Sequence, residues 1–231
     1  MKYLRRHIRN IILEANLCNV VNDKIYSGIT AMDFKGFFIE VLRADQDAIH
    51  VQLTRGTHTD QTFEAGFIKL AKVMYQDDTP DEAIAFRKKN HPGLINCNDS
   101  YIVHHSSILR LYRDRLKGEG VGAVLYDVAL ELAGKNGISP DRFSISEDSF
   151  KMYDYFYRNP DKYERKYLDN MGETEPTEDD CPAESPYDYK FYDTTETLSL
   201  SGSPLGYTYI KKDRSKPTIK CLEQRGLIFG I

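Results

Sequence analysis

The chain has 231 residues and carries 31 Lys or Arg against 35 Asp or Glu, a formal net charge of −4. Its 41% hydrophobic and 29% charged residues are the composition of a globular protein, which excludes a wholly disordered or fibrous chain. The acidic balance weighs against a dedicated nucleic-acid binder, and no apolar run approaches the ~20 residues of a membrane span, so neither nucleic acid nor membrane is an expected partner.

A chain this long buries roughly 70% of the surface that its unfolded form exposes, so it needs no covalent staples to fold. The four cysteines, Cys18, Cys97, Cys181 and Cys221, include no CxxC pair. That spacing predicts reduced thiols in a cytosol-like compartment and no metal site. Near the start, Leu4, Ile8, Ile11 and Ile12 recur at helical spacing with Arg5, Arg6 and Arg9 elsewhere on the wheel. This predicts an amphipathic helix that docks on the domain or on a partner.

Residues 24–54 read as strands, with FFIEVL and AIHVQLT forming a hairpin across a polar ADQD turn. Residues 66–75 suit either a strand or a helix. TPDEAIAFRKKN is expected to be a helix, with Thr79 as cap, Pro80 in the first turn, and Asp81 and Glu82 facing the positive end of the dipole. A loop follows, then a buried strand over residues 101–108.

Next come Gly118, Gly120 and Gly122, ahead of a helix with Val124, Leu125, Val128, Leu130, Leu132 and Ala133 mostly on one side. Gly134 and Gly137 end it. A strand near residues 142–145 leads into SEDSFKMYDYFYRN, where either a Ser144–Glu147 capping box or Ser146 starts a helix. Its Met152 and Phe156, four apart, share the buried face. Residues 171–189 hold seven acids, three prolines and no base, which predicts a long arm without a core. Residues 206–229 carry six Lys or Arg against two acids and are expected to form a last strand pair.

A glycine turn between a strand and a helix lets backbone N–H groups converge on one small concavity, which the helix dipole makes attractive to a pyrophosphate. The Walker motif fails here because Ala123-Val124 follows the last glycine, and the spacing of the dinucleotide fingerprint fails as well. KGEGVGAVLYDVALELA instead resembles the acetyl-CoA-binding motif of GNAT-type N-acetyltransferases, with Lys117 at the Gln/Arg position and Gly120 and Gly122 at the glycines. Ser146, Ser149, Met152 and Tyr153 are similar to the family's second motif, and the order of glycine turn, helix, strand and helix is the family's order.

The resemblance covers about residues 101–157. It implies an α/β fold, a mixed, twisted sheet with helices on both faces, over residues 1–170, followed by an arm and tail over 171–231. It also implies acetyl transfer from acetyl-CoA to a primary amine. Lys117, Gly118, Gly120, Val121, Gly122 and Ala123 would hold the cofactor, and Tyr153 would protonate the departing thiolate. His104 or His105 is the candidate base, on opposite faces of the strand if alternation holds, with Glu64 and Asp99 as weaker candidates. No metal is implied. The alternative is a GNAT-like scaffold that binds a protein partner through its N-terminal helix or acidic arm, resembling virion components encoded by bacteriophages. The expected location is cytoplasmic, or the virion under that alternative.

Overall fold

A computed structural model of the chain describes residue 18 and residues 21–56, 62–72, 100–140, 145–167, 169–170, 180–181 and 203–231. The expected N-terminal helix, the helix over 79–90, Cys97, Asp99, Ser144 and most of the acidic arm lie outside the described residues, as does the side chain of His104.

Helix α1 (Asp23–Lys35) occupies a stretch that the sequence reads as strand. Its β-branched and aromatic residues suggest a strand, but the ends decide otherwise. The Asn22 side-chain oxygen accepts from the N–H groups of Lys24 and Ile25 at 2.9 and 3.3 Å, and Gly36, at φ +70°, turns the chain out of the helix. Ile25, Ile29 and Met32 then fall on one buried stripe, each contributing about 1.5–3 kcal/mol of burial.

Strands β1 (Phe37–Ala44), β2 (Ala48–Arg55) and β3 (Phe63–Ala71) form an antiparallel meander. Asp45 closes the first turn by accepting from the N–H groups of Asp47 and Ala48. β4 (Tyr101–Ile108) pairs antiparallel with β3 and leads into the short helix α2 (Arg110–Leu116) and the central helix α3 (Val121–Ala133). Within α3 every residue except Gly122 and Leu132 is buried. β5 (Ile138–Ser139) follows, then α4 (Glu147–Arg158) and β6 (Tyr163–Tyr167). A two-residue parallel pair, β7 (Asp169–Asn170) with β8 (Asp180–Cys181), stands apart from the main sheet.

The expected terminal strand pair is replaced by β9 (Tyr207–Lys211), helix α5 (Pro217–Gln224) and β10 (Ile228–Phe229). The two strands lie far apart in one mixed eight-stranded sheet, ordered β10-β1-β2-β3-β4-β5-β9-β6. PTIKCLEQ becomes a helix because its start is satisfied from a distance. Pro217 sits in the first turn, and the Glu131 carboxylate on α3 accepts from the N–H groups of Thr218 and Ile219 at 3.0 and 2.9 Å.

The fold is therefore α/β with a mixed sheet. Helices were expected on both faces; among the described residues, α1, α3, α4 and α5 gather on the face of Ile39, Val51, Leu70, Val103 and Tyr209. Cys18 and Cys221 are joined by a disulfide, which corrects the expectation of reduced thiols at these two positions. Spacing along the chain gave no sign of it, because the partners are 203 residues apart and meet only where α1 and α5 both pack on α3.

Candidate functional site

Strands β4 and β5 run parallel but pair at two positions only, Tyr101 with Ile138 and Ile102 with Ser139. β5 then ends, while β4 continues to Ile108. Among the described residues no strand pairs with this edge of β4 beyond Ile102, and the wedge is this unpaired edge beside the end of β5. Ser106 on β4 shares hydrogen bonds with the Tyr126 hydroxyl of α3 at 3.0 Å and with the Ser149 hydroxyl of α4 at 3.4 Å.

The glycine turn lies between α2 and α3. Lys117 is extended and exposed, and Gly118 and Gly120 are left-handed at φ +79° and +87°, a conformation that L side chains rarely adopt. Gly120 has a second constraint. A Cβ there would lie 2.4 Å from the Lys24 carbonyl oxygen, and a Cβ on Gly28 would lie 2.7 Å from the Gly120 carbonyl oxygen. The two glycines thus let α1 and α3 touch backbone to backbone. Gly120 serves helix packing, a role that its motif position does not reveal.

Gly122 differs: it is exposed, and a Cβ there meets nothing within 4 Å. The first helical bond of α3 runs from the Val124 N–H to the Gly120 carbonyl at 3.1 Å, so the N–H groups of Val121, Gly122 and Ala123 have no partner within the helix. Val121 and Ala123 point their side chains inward. Glu119, the acid in this turn, is paired with Lys35 at 2.8 Å, and Lys35 also donates to the Arg115 carbonyl at 2.7 Å.

Helix α4 starts at Ser146, whose hydroxyl accepts from the Ser149 N–H at 3.2 Å. This seats Tyr153 one turn deeper, at 1% exposure. Its ring meets Tyr126 edge-on with centroids 5.9 Å apart and lies beside Phe156 and Tyr209. Its hydroxyl donates to the Ser139 carbonyl at 3.5 Å, a long bond at the point where β5 ends and the wedge begins.

The histidines are separated by an irregularity that the sequence does not announce. Lys69 pairs with His105 but Leu70 pairs with Val103, so His104 is the extra residue of a β-bulge. Alternation therefore fails, and Val103 and Ser106 share the α3 face although they are three apart. His105 is exposed on the opposite face, its ring 4.8 Å from that of Phe67. Glu64 is exposed on β3, paired with Thr54.

Two groups escaped the sequence reading. Asp127 and Glu131, one turn apart on α3, are 4% and 3% exposed and both accept from the Lys211 ammonium at 2.5 Å. Asp127 also accepts from the Thr218 hydroxyl at 2.5 Å. Two acids inside an otherwise apolar helix were a legible sign of such a network. The second group is His50, whose Nε2 is buried without a hydrogen-bond partner, and whose pKa is held down to about 4 by burial and then by Lys69.

Among the described residues, no group of three His, Cys, Asp or Glu is placed to hold a metal ion, and no helix is long and apolar enough to cross a membrane. The chain matches no family model, and no curated protein or solved structure is significantly similar to it.

Proposed function

We propose that the chain is an acetyl-CoA-dependent N-acetyltransferase of GNAT type, with the cofactor thioester in the wedge between β4 and β5. The observation that carries this is the join of two features: a parallel pair that stops after two rungs, and a glycine turn that follows the short helix α2 and opens into α3. The N–H groups of Val121, Gly122 and Ala123, with the open Gly122 surface, fit a pyrophosphate oxygen, and Lys117 adds an exposed cation beside them.

In this chemistry the acceptor nitrogen attacks the thioester carbonyl carbon. The C–N bond forms, the C–S bond breaks, and the proton lost from the ammonium goes to a base. His104, at the bulge, is the candidate base; His105, on the far side against Phe67, is given no part. The Tyr153 hydroxyl, at the apex of the wedge, is the donor to the departing thiolate.

A second function, a GNAT-like scaffold that binds partners without catalysis, is favoured by one observation. The hydroxyls of Ser106, Tyr126 and Ser149 bond to one another across the wedge, and Tyr153 is fully enclosed. Calorimetry with CoA separates the two. Acyl transfer requires micromolar to millimolar binding that Gly122→Glu abolishes, because a carboxylate then faces the pyrophosphate while the open site spares the fold. No binding at millimolar CoA sinks the acyltransferase proposal and leaves the scaffold.

A further inference from the structure

The Asp127 carboxylate has one oxygen committed and one not. Oδ2 accepts from the Lys211 ammonium and from the Thr218 hydroxyl, both at 2.5 Å. Oδ1 has no hydrogen-bond partner among the described residues, and neither has the hydroxyl of Tyr163, which is 4% exposed. Among the described residues, the fully enclosed side-chain nitrogen or oxygen without a partner is His50 Nε2. Asp127 Oδ1 and the Tyr163 hydroxyl therefore each border open space, although both residues are buried.

A small pocket lined by both residues supplies that space. It lies where the start of α1, the first half of α3, α4 and β6 meet, with Ile25, Ala123 and Phe156 in its walls. The centre of a water-sized sphere has about 10 Å³ in which to move, room for one water and for no organic molecule. A third polar group is Tyr155. Its hydroxyl accepts from Asn22 Nδ2 at 2.7 Å, so its own O–H is left to donate. Tyr163 stays a donor as well, because burial, then the Asp127 carboxylate and Tyr155 close by, push its pKa well above the ordinary tyrosine value.

Charge selects the occupant. Asp127 is already paired with Lys211, and Lys24, an exposed cation, also lines the pocket, so a further cation gains little there. The Asp127 carboxylate repels an anion. A water meets the remaining needs: it donates to Asp127 Oδ1 and accepts from the two tyrosines, within the range of roughly two to four partners that a buried water takes.

We propose that this pocket is the binding site of one ordered water molecule, held by Asp127 Oδ1 and the hydroxyls of Tyr163 and Tyr155. The water completes a chain of hydrogen bonds from the start of α1 to the buried ion cluster. Asn22 caps α1 and donates to Tyr155, Tyr155 donates to the water, the water donates to Asp127, and Asp127 accepts from Lys211. Lys211 also donates to Glu131, which accepts from the first N–H groups of α5. One molecule thus ties the starts of α1 and α5 together through side chains. This does not depend on acyl transfer.

The Tyr163 hydroxyl gives a test that turns on a sign. Were it unsatisfied, Tyr163→Phe would remove a desolvated donor and raise the thermal midpoint of the full chain. Bonded to the water, its loss should lower the midpoint by about 2–4 °C, the effect of about one hydrogen bond in a chain of this size. Magnetic relaxation dispersion of the water oxygen, which does not respond to hydroxyl protons, should count one long-lived water fewer in Ala123→Val, whose added methyls fill the pocket. Circular dichroism checks that this variant folds; if it does not, Tyr163→Phe decides alone. An unchanged or raised midpoint in Tyr163→Phe overturns the proposal, as does an unchanged water count in folded Ala123→Val. So does a wild-type midpoint that is higher in ammonium or potassium chloride than in choline chloride at equal ionic strength, which would assign the pocket to a cation.

Discussion

Tyr153, Gly120 and His50 show how far a single side chain's role depends on its neighbours. The Tyr153 hydroxyl sits on the Ser139 carbonyl at the apex of the wedge, so Tyr153→Phe removes one donor and little volume. If the chain transfers acyl groups, turnover with a competent amine should fall by roughly 10²-fold or more while CoA affinity holds, and an unchanged kcat would show that the ring only packs. Gly120 and Gly122 should respond in opposite ways to alanine. Gly120→Ala combines a left-handed φ with a 2.4 Å approach to the Lys24 carbonyl and should cost more than about 2 kcal/mol, whereas Gly122→Ala in an open helical site should gain up to about 1 kcal/mol. Urea denaturation of both variants checks this; equal midpoints would mean that α1 does not press on the turn. His50 should titrate near pH 4 in a proton NMR titration. A histidine with a depressed folded pKa lends stability that is complete above its unfolded value of about 6.5 and is lost as pH falls toward 4. His50→Gln should flatten the loss of stability across that window.

At the scale of elements, α5 is held by charges that belong to α3 and β9. Lys211 is enclosed with Asp127 and Glu131, and Glu131 also caps α5. Burial alone would lower the Lys211 pKa, but Asp127 and Glu131 more than offset it and hold it above its ordinary 10.5. A base with a raised folded pKa contributes stability that is fully present below the unfolded value and is lost as pH rises through the folded one. The protein should therefore lose stability above about pH 10.5, and Lys211→Met should remove that alkaline component. The same change strands two buried carboxylates and should cost about 3–5 kcal/mol near neutral pH, part of which Lys211→Met with Asp127→Asn should recover. Thermal melts from pH 7 to 11 decide it; a wild-type slope preserved in Lys211→Met would mean that another group titrates.

At the scale of the whole molecule, segments from early and late in the chain are brought to one core. β10 adds to β1 at one edge of the sheet, and Cys221 of α5 is bonded to Cys18 just ahead of α1. A cross-link that closes so long a loop restricts the unfolded chain most, and breaking it should cost about 2–5 kcal/mol. Reduced protein, or Cys18→Ser with Cys221→Ser, should melt several degrees lower, and mass spectrometry of protein purified without reductant should show the bond. An unshifted midpoint on reduction would mean that the packing of α1 and α5 holds the ends without it.

Elements whose signals are local can be read along the chain. The β1–β2 hairpin, strand β4, the glycine turn before an apolar helix and the start of α4 at one of two serine caps were all legible, because alternation, glycine and capping chemistry act within a few residues. Tertiary structure decided the rest. The strand-like residues of α1 became a helix through Asn22, Gly36 and a backbone-close contact with α3, and PTIKCLEQ became α5 because Glu131, 87 residues away from Thr218, satisfies its first N–H groups. A bulge at His104 reset which strand residues face α3, and a disulfide joined cysteines whose spacing announced nothing. In each case the deciding partner is distant in the chain, and its hydrogen bond, contact or cross-link outweighs a local preference of a fraction of a kcal/mol per residue.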